Sequence, residues 1–273
     1  MPDILTVRYA QTGSSTRPDA LGMREMQARA YEQRNAQYLL LKAPPASGKS
    51  RALMFIALDK VMKQGLDKVI VAVPEMSIGG SFRDTGLVSH GFFADWHVAE
   101  RYNLCTPGNA GKVDRVVEFM RQSREHYLVC THATLRFAYE KIGSAAAFDK
   151  TLVAIDEFHH TSAEEGNILG GIIDDLMQNS TAHIVAMTGS YFRGDAVPIL
   201  RPEDEARFTQ VTYTYYEQLN GYKYLKSLGI GYHFYQGRYF DALKEVLDPE
   251  KKTIIHIPNV NSMESTGLKL EED

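Results

Sequence analysis

Gly48-Lys49-Ser50 and the adjacent carboxylates Asp156-Glu157 are the side chains best suited to do chemistry in this sequence. The first group closes the stretch QYLLLKAPPASGKSR (37–51), where consecutive leucines run into small residues and then into helix formers. That order predicts a buried strand, a tight loop and a helix N-terminus, where backbone N–H groups and the helix dipole converge on a phosphate. Lys49 would reach the β/γ-phosphates, and the Ser50 hydroxyl would ligand Mg²⁺. Ala46, Ser47, Gly48 and Arg51 complete the loop that would wrap the phosphates, with Lys49 expected on its solvent-facing side. The pattern G-x-x-x-x-G-K-[ST] is met imperfectly. Ala43 stands at the first glycine position, Ala46 occupies a place where glycine is common, and Pro44 and Pro45 have no N–H to donate. Over so few residues, a plain loop leading to a lysine-bearing helix would look the same.

Asp156 and Glu157 end the apolar run of TLVAIDEFHH (151–160). In open α/β sheets ligands sit beyond the carboxyl ends of the strands, so this strand end should face the same crevice as the loop. Asp156 can hold Mg²⁺ while Glu157 orients or deprotonates an attacking water. A strand end with solvated charges is the plainer alternative. A separate metal site from Asp156, His159 and His160 is another, although no further ligand cluster accompanies them. Thr188-Gly189-Ser190 follows a later apolar run, and its hydroxyls could bond to a carboxylate or histidine or simply make a turn. Upstream, Arg24, Gln27 and Tyr31 share one helix face. Such a face is solvated by default, but the Gln27 amide also suits an adenine edge, offering a donor and an acceptor in one plane.

These residues need a framework of strands and helices. Gly22–Asn35 carries a helical pattern, and a helix from Ser50 to Gly65 leads to the strand KVIVAVP (68–74). Strand, helix and strand at this spacing make a right-handed βαβ unit of a parallel sheet. Residues 75–110 are rich in glycine and read as loops, with a short strand at 102–105 and Trp96 as a core or loop anchor. An amphipathic helix over 111–123 bears Lys112, Arg115 and Arg121, a set that is usually just solvated. A strand (126–132), a helix (133–142), a helix (166–179) and a strand (183–187) follow. Residues 1–20 read as an extended lead-in.

Composition sets the bounds. The 273 residues are 44% hydrophobic and 23% charged, as expected of a globular chain with a full core. A net charge of −4 excludes a generally basic nucleic-acid coat but not a local basic groove. Cys105 and Cys130, without CxxC spacing, fit a reducing compartment. No apolar run approaches a membrane span and no secretory segment is evident, so a cytoplasmic protein with no membrane partner is expected.

Taken in order, these pieces resemble the first RecA-like lobe of the superfamily 2 helicases and translocases of the DEAD/DEAH-box kind. APPASGKS (43–50) looks like motif I in its A-x-x-G-x-G-K-[ST] form, in which only Ala46 departs. VAVPEMS (71–77) resembles motif Ia, CTHATL (130–135) the T-x-x-x-L segment after it, and DEFH (156–159) motif II in its D-E-x-H form. MTGS (187–190) sits where motif III should be, with Gly189 for the usual alanine, and REMQ (24–27) is placed like the adenine-reading glutamine. The resemblance covers roughly residues 20–195 and is nearest the type III restriction subunit-like, DNA-acting group. It implies an α/β fold, a P-loop RecA-like parallel sheet flanked by helices, binding and hydrolysing Mg-ATP. Lys49 and Ser50 would hold phosphate and Mg²⁺, Asp156 Mg²⁺, and Glu157 the water. His159, Thr188 and Ser190 would couple nucleotide state to nucleic acid, with DNA the expected substrate. A P-loop ATPase or nucleotide-dependent binding subunit that does not act on nucleic acid is the alternative.

The expected divisions are a lead-in (1–20), the ATP-binding lobe (21–200), a Tyr-rich linker or helical segment (201–250) and the start of a second RecA-like lobe (251–273). Tyrosines such as Tyr213, Tyr215, Tyr216 and Tyr222 could stack on bases, though packing between lobes is the plainer role. Lys251–Pro258 reads as the opening strand of that second lobe. In the resembled family the second lobe supplies the arginine fingers, so this chain alone is expected to hydrolyse ATP weakly or not at all. A missing C-terminal lobe or a second polypeptide would complete it.

Overall fold

The structure is a computed structural model that describes residues 5–8, 17–106, 111–122, 124–158, 166–189, 202–221, 227–231, 234, 236, 239–248, 250 and 252–255. In chain order its elements begin with β1 (Leu5–Arg8), α1 (Glu25–Glu32), β2 (Tyr38–Lys42), α2 (Lys49–Lys63), β3 (Lys68–Val73) and α3 (Lys112–Gln122). They continue with β4 (Tyr127–Thr131), α4 (His132–Ile142), β5 (Thr151–Ile155), α5 (Gly166–Asn179), β6 (His183–Thr188) and α6 (Pro202–Glu205). Last come β7 (Thr209–Thr212), α7 (Tyr215–Asn220), β8 (Ser227–Ile230) and α8 (Tyr239–Val246). The chain divides into two units, Ser14–Lys223 and a smaller one made of Met1–Gly13 with Tyr224–Asp273.

In the larger unit six strands form one sheet in the order β4-β3-β5-β6-β2-β7, and every pairing is parallel. A parallel sheet must be covered on both faces, and side chains alternate between the faces along each strand. The leucine run of β2 is divided accordingly. Leu39 and Leu41 join Val69, Val71, Ala154 and Val185 under α1 and α2, with Ala30, Leu53 and Ile56. Leu40 joins Ile70, Val153, Ile155 and Ile184 on the opposite face, with Val116, Phe119, Leu135 and Ile173 from α3, α4 and α5. Burying each such Val, Leu, Ile or Phe side chain contributes about 1.5–3 kcal/mol, which holds the strand ends in register. This is the α/β fold expected from the sequence, a parallel sheet flanked by helices. Because β6 lies between β5 and β2, the carboxylates, the Thr188 turn and the loop after β2 all lie at one end of the sheet.

Several details differ from expectation. The lobe does not stop near residue 200: β7 adds the sixth strand, and the unit runs to Lys223. Phe208 and Val211 are buried there, and Phe208 packs on Tyr38 with ring centroids 5.7 Å apart. The lead-in includes a strand, β1, which pairs antiparallel with β8; its Leu-Thr-Val-Arg alternation is the period-2 signal of a strand. No strand forms over 102–105 beyond a single bridge between Asn103 and Val129, because the Asn103 side chain accepts the Cys105 N–H at 3.3 Å and turns the chain. Trp96 is buried, its Nε1 donating to the Phe82 carbonyl at 3.0 Å, and it anchors the loops after β3. Of the strand expected over 251–258, residues 252–255 are irregular and the others lie outside the described residues. Among the described residues no helix is long and apolar enough to cross a membrane.

Candidate active site

The loop between β2 and α2 is shaped by its own sequence. Ala43 N donates to Thr188 O at 3.1 Å, tying the loop's start to the end of β6, and Ser47 N donates to Pro44 O at 3.3 Å. Ala46 and Gly48 both have positive φ, 61° and 95°. The φ of 95° is what calls for glycine at Gly48, where a Cβ would also displace the Gln27 amide, its Nε2 being 2.5 Å away. Ala46 explains why its position usually carries glycine: an L-residue held left-handed costs about 1–2 kcal/mol. No side chain caps the N-terminus of α2, whose first-turn N–H groups have no intrahelical acceptor.

Lys49 is only 7% exposed, not solvent-facing. Its Nζ donates to Ala43 O at 3.0 Å and Pro44 O at 3.3 Å, and lies 3.7 Å from Glu157 Oε1. Ser47 Oγ is buried without a hydrogen-bond partner. Ser50 and Arg51 are half-buried in the first turn of α2. A buried hydroxyl left unpaired is expensive, and here it lies in a loop with an uncapped helix behind it and an ammonium beside it. Those three features fit the phosphates of a nucleotide.

Asp156 follows the last residue of β5 and is 4% exposed. Its N–H donates to Ala72 O at 2.8 Å, and its Oδ1 accepts the Glu157 N–H at 3.0 Å. Burial first, and then the neighbouring Glu157 charge, push its carboxyl up to about 6 against the opposing pull of Lys49. Glu157 has φ 47°, a left-handed turn that swings it towards β6, where Oε2 accepts the Gly189 N–H at 3.1 Å. A Cβ on Gly189 would meet Lys49 Nζ at 3.3 Å and Pro45 Cδ at 3.4 Å, so the glycine there permits close approach to the loop. The buried Asp156 carboxyl, repelled by the part-buried Glu157, and the Ser50 hydroxyl in the first turn of α2 fit a divalent cation shared with phosphate, for which Ser50 and Asp156 would be the protein donors. Among the described residues no cluster of three or more His, Cys, Asp or Glu could hold a metal unaided.

The structure thus brings together Ala46, Ser47, Gly48, Lys49, Asp156, Glu157 and the Thr188-Gly189 turn. Thr188 is buried at the end of β6, beside Lys42 in register. Gln27 is 3% exposed; its Oε1 accepts the Arg24 N–H at 2.8 Å and its Nε2 donates to Gly48 O at 3.2 Å. Its amide therefore faces the loop between β2 and α2, keeping one N–H and one lone pair for another partner. His159, His160 and Ser190 lie outside the described residues. Sequence reasoning missed two contacts. His132 Nε2 donates to Asp156 O at 3.0 Å from the first residue of α4, and Gln218 Nε2 on α7 donates to Pro45 O at 3.2 Å. The histidine was visible inside CTHATL, but nothing in the sequence marked Gln218.

Over 272 residues the chain is 63% identical to a Bacillus subtilis (strain 168) protein named "Putative ATP-dependent helicase YeeB", a match that covers 100% of this chain. The chain is a homologue of that protein. It spans 45% of that protein's length. Among solved structures, the UvsW helicase from bacteriophage T4 aligns with a TM-score of 0.46 at 16% identity, covering 74% of this chain and 62% of that one. No protein-family model matches the chain.

Proposed function

We propose that this chain is the ATP-binding first lobe of a superfamily 2 helicase or translocase that hydrolyses Mg-ATP and moves on nucleic acid, with DNA the substrate. One observation carries the reading: the lysine of the phosphate loop and the second carboxylate after β5 meet at 3.7 Å, next to the Thr188-Gly189 turn. The name of the homologous protein supports the same reading.

Lys49 would leave the Ala43 and Pro44 carbonyls to engage phosphate, and the N-terminus of α2 with Ser47 would donate to the phosphate oxygens. Mg²⁺, held through Ser50 and Asp156, would supply the positive charge that phosphoryl transfer needs. Glu157, aimed by the Gly189 N–H, would orient the attacking water and take its proton. Gln27, already joined to Gly48, would read the adenine edge. Thr188, with His159 and Ser190, would pass nucleotide state to the nucleic acid. We place the arginines that complete catalysis in a second lobe or a second polypeptide, so the isolated 273-residue chain should turn over slowly. The two buried free thiols suit a cytoplasmic protein.

The test is steady-state ATPase activity of the full-length protein with and without single- and double-stranded DNA or RNA. Turnover stimulated by DNA supports the proposal. Turnover indifferent to every nucleic acid would assign the chain to a P-loop ATPase of another kind.

A further inference from the structure

The tyrosine-rich stretch after β7 has one member that the active site leaves unused. β7 runs parallel to β2 with Thr212 beside Lys42, and Tyr213 N donates to Lys42 O at 2.8 Å. The chain leaving β7 therefore emerges at the same end of the sheet as the phosphate loop. Three residues past β7, α7 begins, capped by reciprocal bonds. Thr214 Oγ1 accepts the Glu217 N–H at 3.2 Å, and Glu217 Oε2 accepts the Thr214 N–H at 2.7 Å.

Two further contacts fix this short helix in place. Gln218 Nε2 donates to Pro45 O in the phosphate loop at 3.2 Å. Arg29 of α1 donates to Glu217 Oε1 at 2.9 Å and to Thr212 O at 3.0 Å, with its guanidinium 5.3 Å from the Tyr213 ring centroid. The same α1 carries Gln27, which touches Gly48. Tyr215 lies three residues before Gln218 and so shares its helix face. It is 58% exposed. A large aromatic ring is thus held out beside the phosphate loop by a helix tied to both the loop and α1. In a nucleoside triphosphate the base lies one sugar away from the phosphates, and its flat π-face is what an exposed ring at that position can take up.

We propose that Tyr215 is the stacking platform for the base of the nucleotide whose phosphates the 43–50 loop holds. This rests on the nucleotide reading above and adds to it a residue that selects for a base. Gln27 is placed for the base edge, and Tyr215 takes its face. Tyr216, 55% exposed, stands about 200° around the helix from Gln218 and is not part of the platform.

The experiment is calorimetric binding of Mg-ATP and Mg-tripolyphosphate to the full-length protein and three variants. Stacking of a base on an aromatic predicts that Tyr215→Ala weakens ATP binding about tenfold or more and leaves tripolyphosphate binding unchanged. Tyr215→Phe should retain ATP affinity, and Tyr216→Ala should match the parent protein. Unchanged ATP affinity in Tyr215→Ala overturns the inference. So does an equal loss for both ligands, or an equal loss in Tyr216→Ala. A parent protein that binds neither ligand overturns the nucleotide reading, and this inference falls with it.

Discussion

Helix α2 carries a buried lysine near each end, and the two are employed differently. Lys60, fully buried, donates to Ala36 O at 2.9 Å and contacts His183 Nδ1 at 2.8 Å where β2 and β6 begin. Beside it Asp59 accepts from Tyr31 at 2.7 Å and from Gln64 at 2.7 Å. Burial lowers Lys60 to about 8, and burial with the nearby ammonium lowers His183 to about 4, so the imidazole is a neutral acceptor at pH 7. Every partner there comes from the protein. At the other end Lys49 rests on two loop carbonyls beside an unpaired Ser47 hydroxyl and two carboxylates that repel each other. The first network is closed and serves the fold. The second leaves the Ser47 hydroxyl unpaired and two like charges together, which is what the proposed phosphate and cation would relieve.

The sharpest way to break this contrast is to remove each lysine in turn. Lys49→Ala is expected to weaken Mg-ATP binding more than a hundredfold, since charge-assisted contacts to phosphate dominate such sites, with little loss of melting temperature. Lys60→Met is expected to leave binding intact and destabilise the fold by about 1–3 kcal/mol, because the Ala36 carbonyl and His183 lose their donor. Calorimetry and thermal melts on both variants decide it; equal effects on binding would erase the distinction.

Within the open site, Glu157→Gln should keep nucleotide affinity while turnover falls by about 10²–10⁴, the usual worth of a positioned general base. Single-turnover kinetics would show whether the loss lies in the chemical step.

A third measurement is the pH dependence of stability without nucleotide. Asp156 is raised from its ordinary range to about 6 in the folded state, so the native form binds more protons between about 4 and 6. Its contribution to stability therefore falls as pH rises through that window. Asp156→Asn should raise the melting temperature at pH 7, with the gain vanishing near pH 4, and abolish Mg²⁺-dependent binding. His183 has the opposite sign: lowered to about 4, it contributes stability that is lost as pH falls from about 6.5 to 4. Lys60, lowered to about 8, makes stability rise between about 8 and 10.5.

The smallest effect belongs to Ala46. At φ 61° an Ala46→Gly change relieves a left-handed alanine, and after the entropy that glycine adds to the unfolded chain the gain should be about 0.5–1 kcal/mol. A denaturant melt showing a loss instead would mean that the loop gains its rigidity from that methyl group.

Much of the fold was legible because its signals are local. The apolar runs before Lys42, Pro74, Asp156 and Thr188 announced buried strands, and the alternation of faces followed from the two-residue period. Gly48, Lys49, Asp156 and Glu157 could be read from the motifs they close. What failed to show was long-range: β7 reads as polar except for Val211, and it became the sixth strand only because β2 offered an open edge. β1 looked like a lead-in because its partner lies more than two hundred residues away.

By itself the sequence determined that Gly48-Lys49-Ser50 and Asp156-Glu157 would follow buried parallel strands, the first group leading into a helix. Only the tertiary structure decided that Gln27 would press against Gly48, that Gly189 would aim Glu157, and that α7 would join the loop through Gln218. The reason is physical. A strand or helix is specified by the few residues along it, whereas a contact between side chains 21, 32 or 173 positions apart depends on strand order. Strand order is in turn set by how the two buried faces of the whole sheet pack.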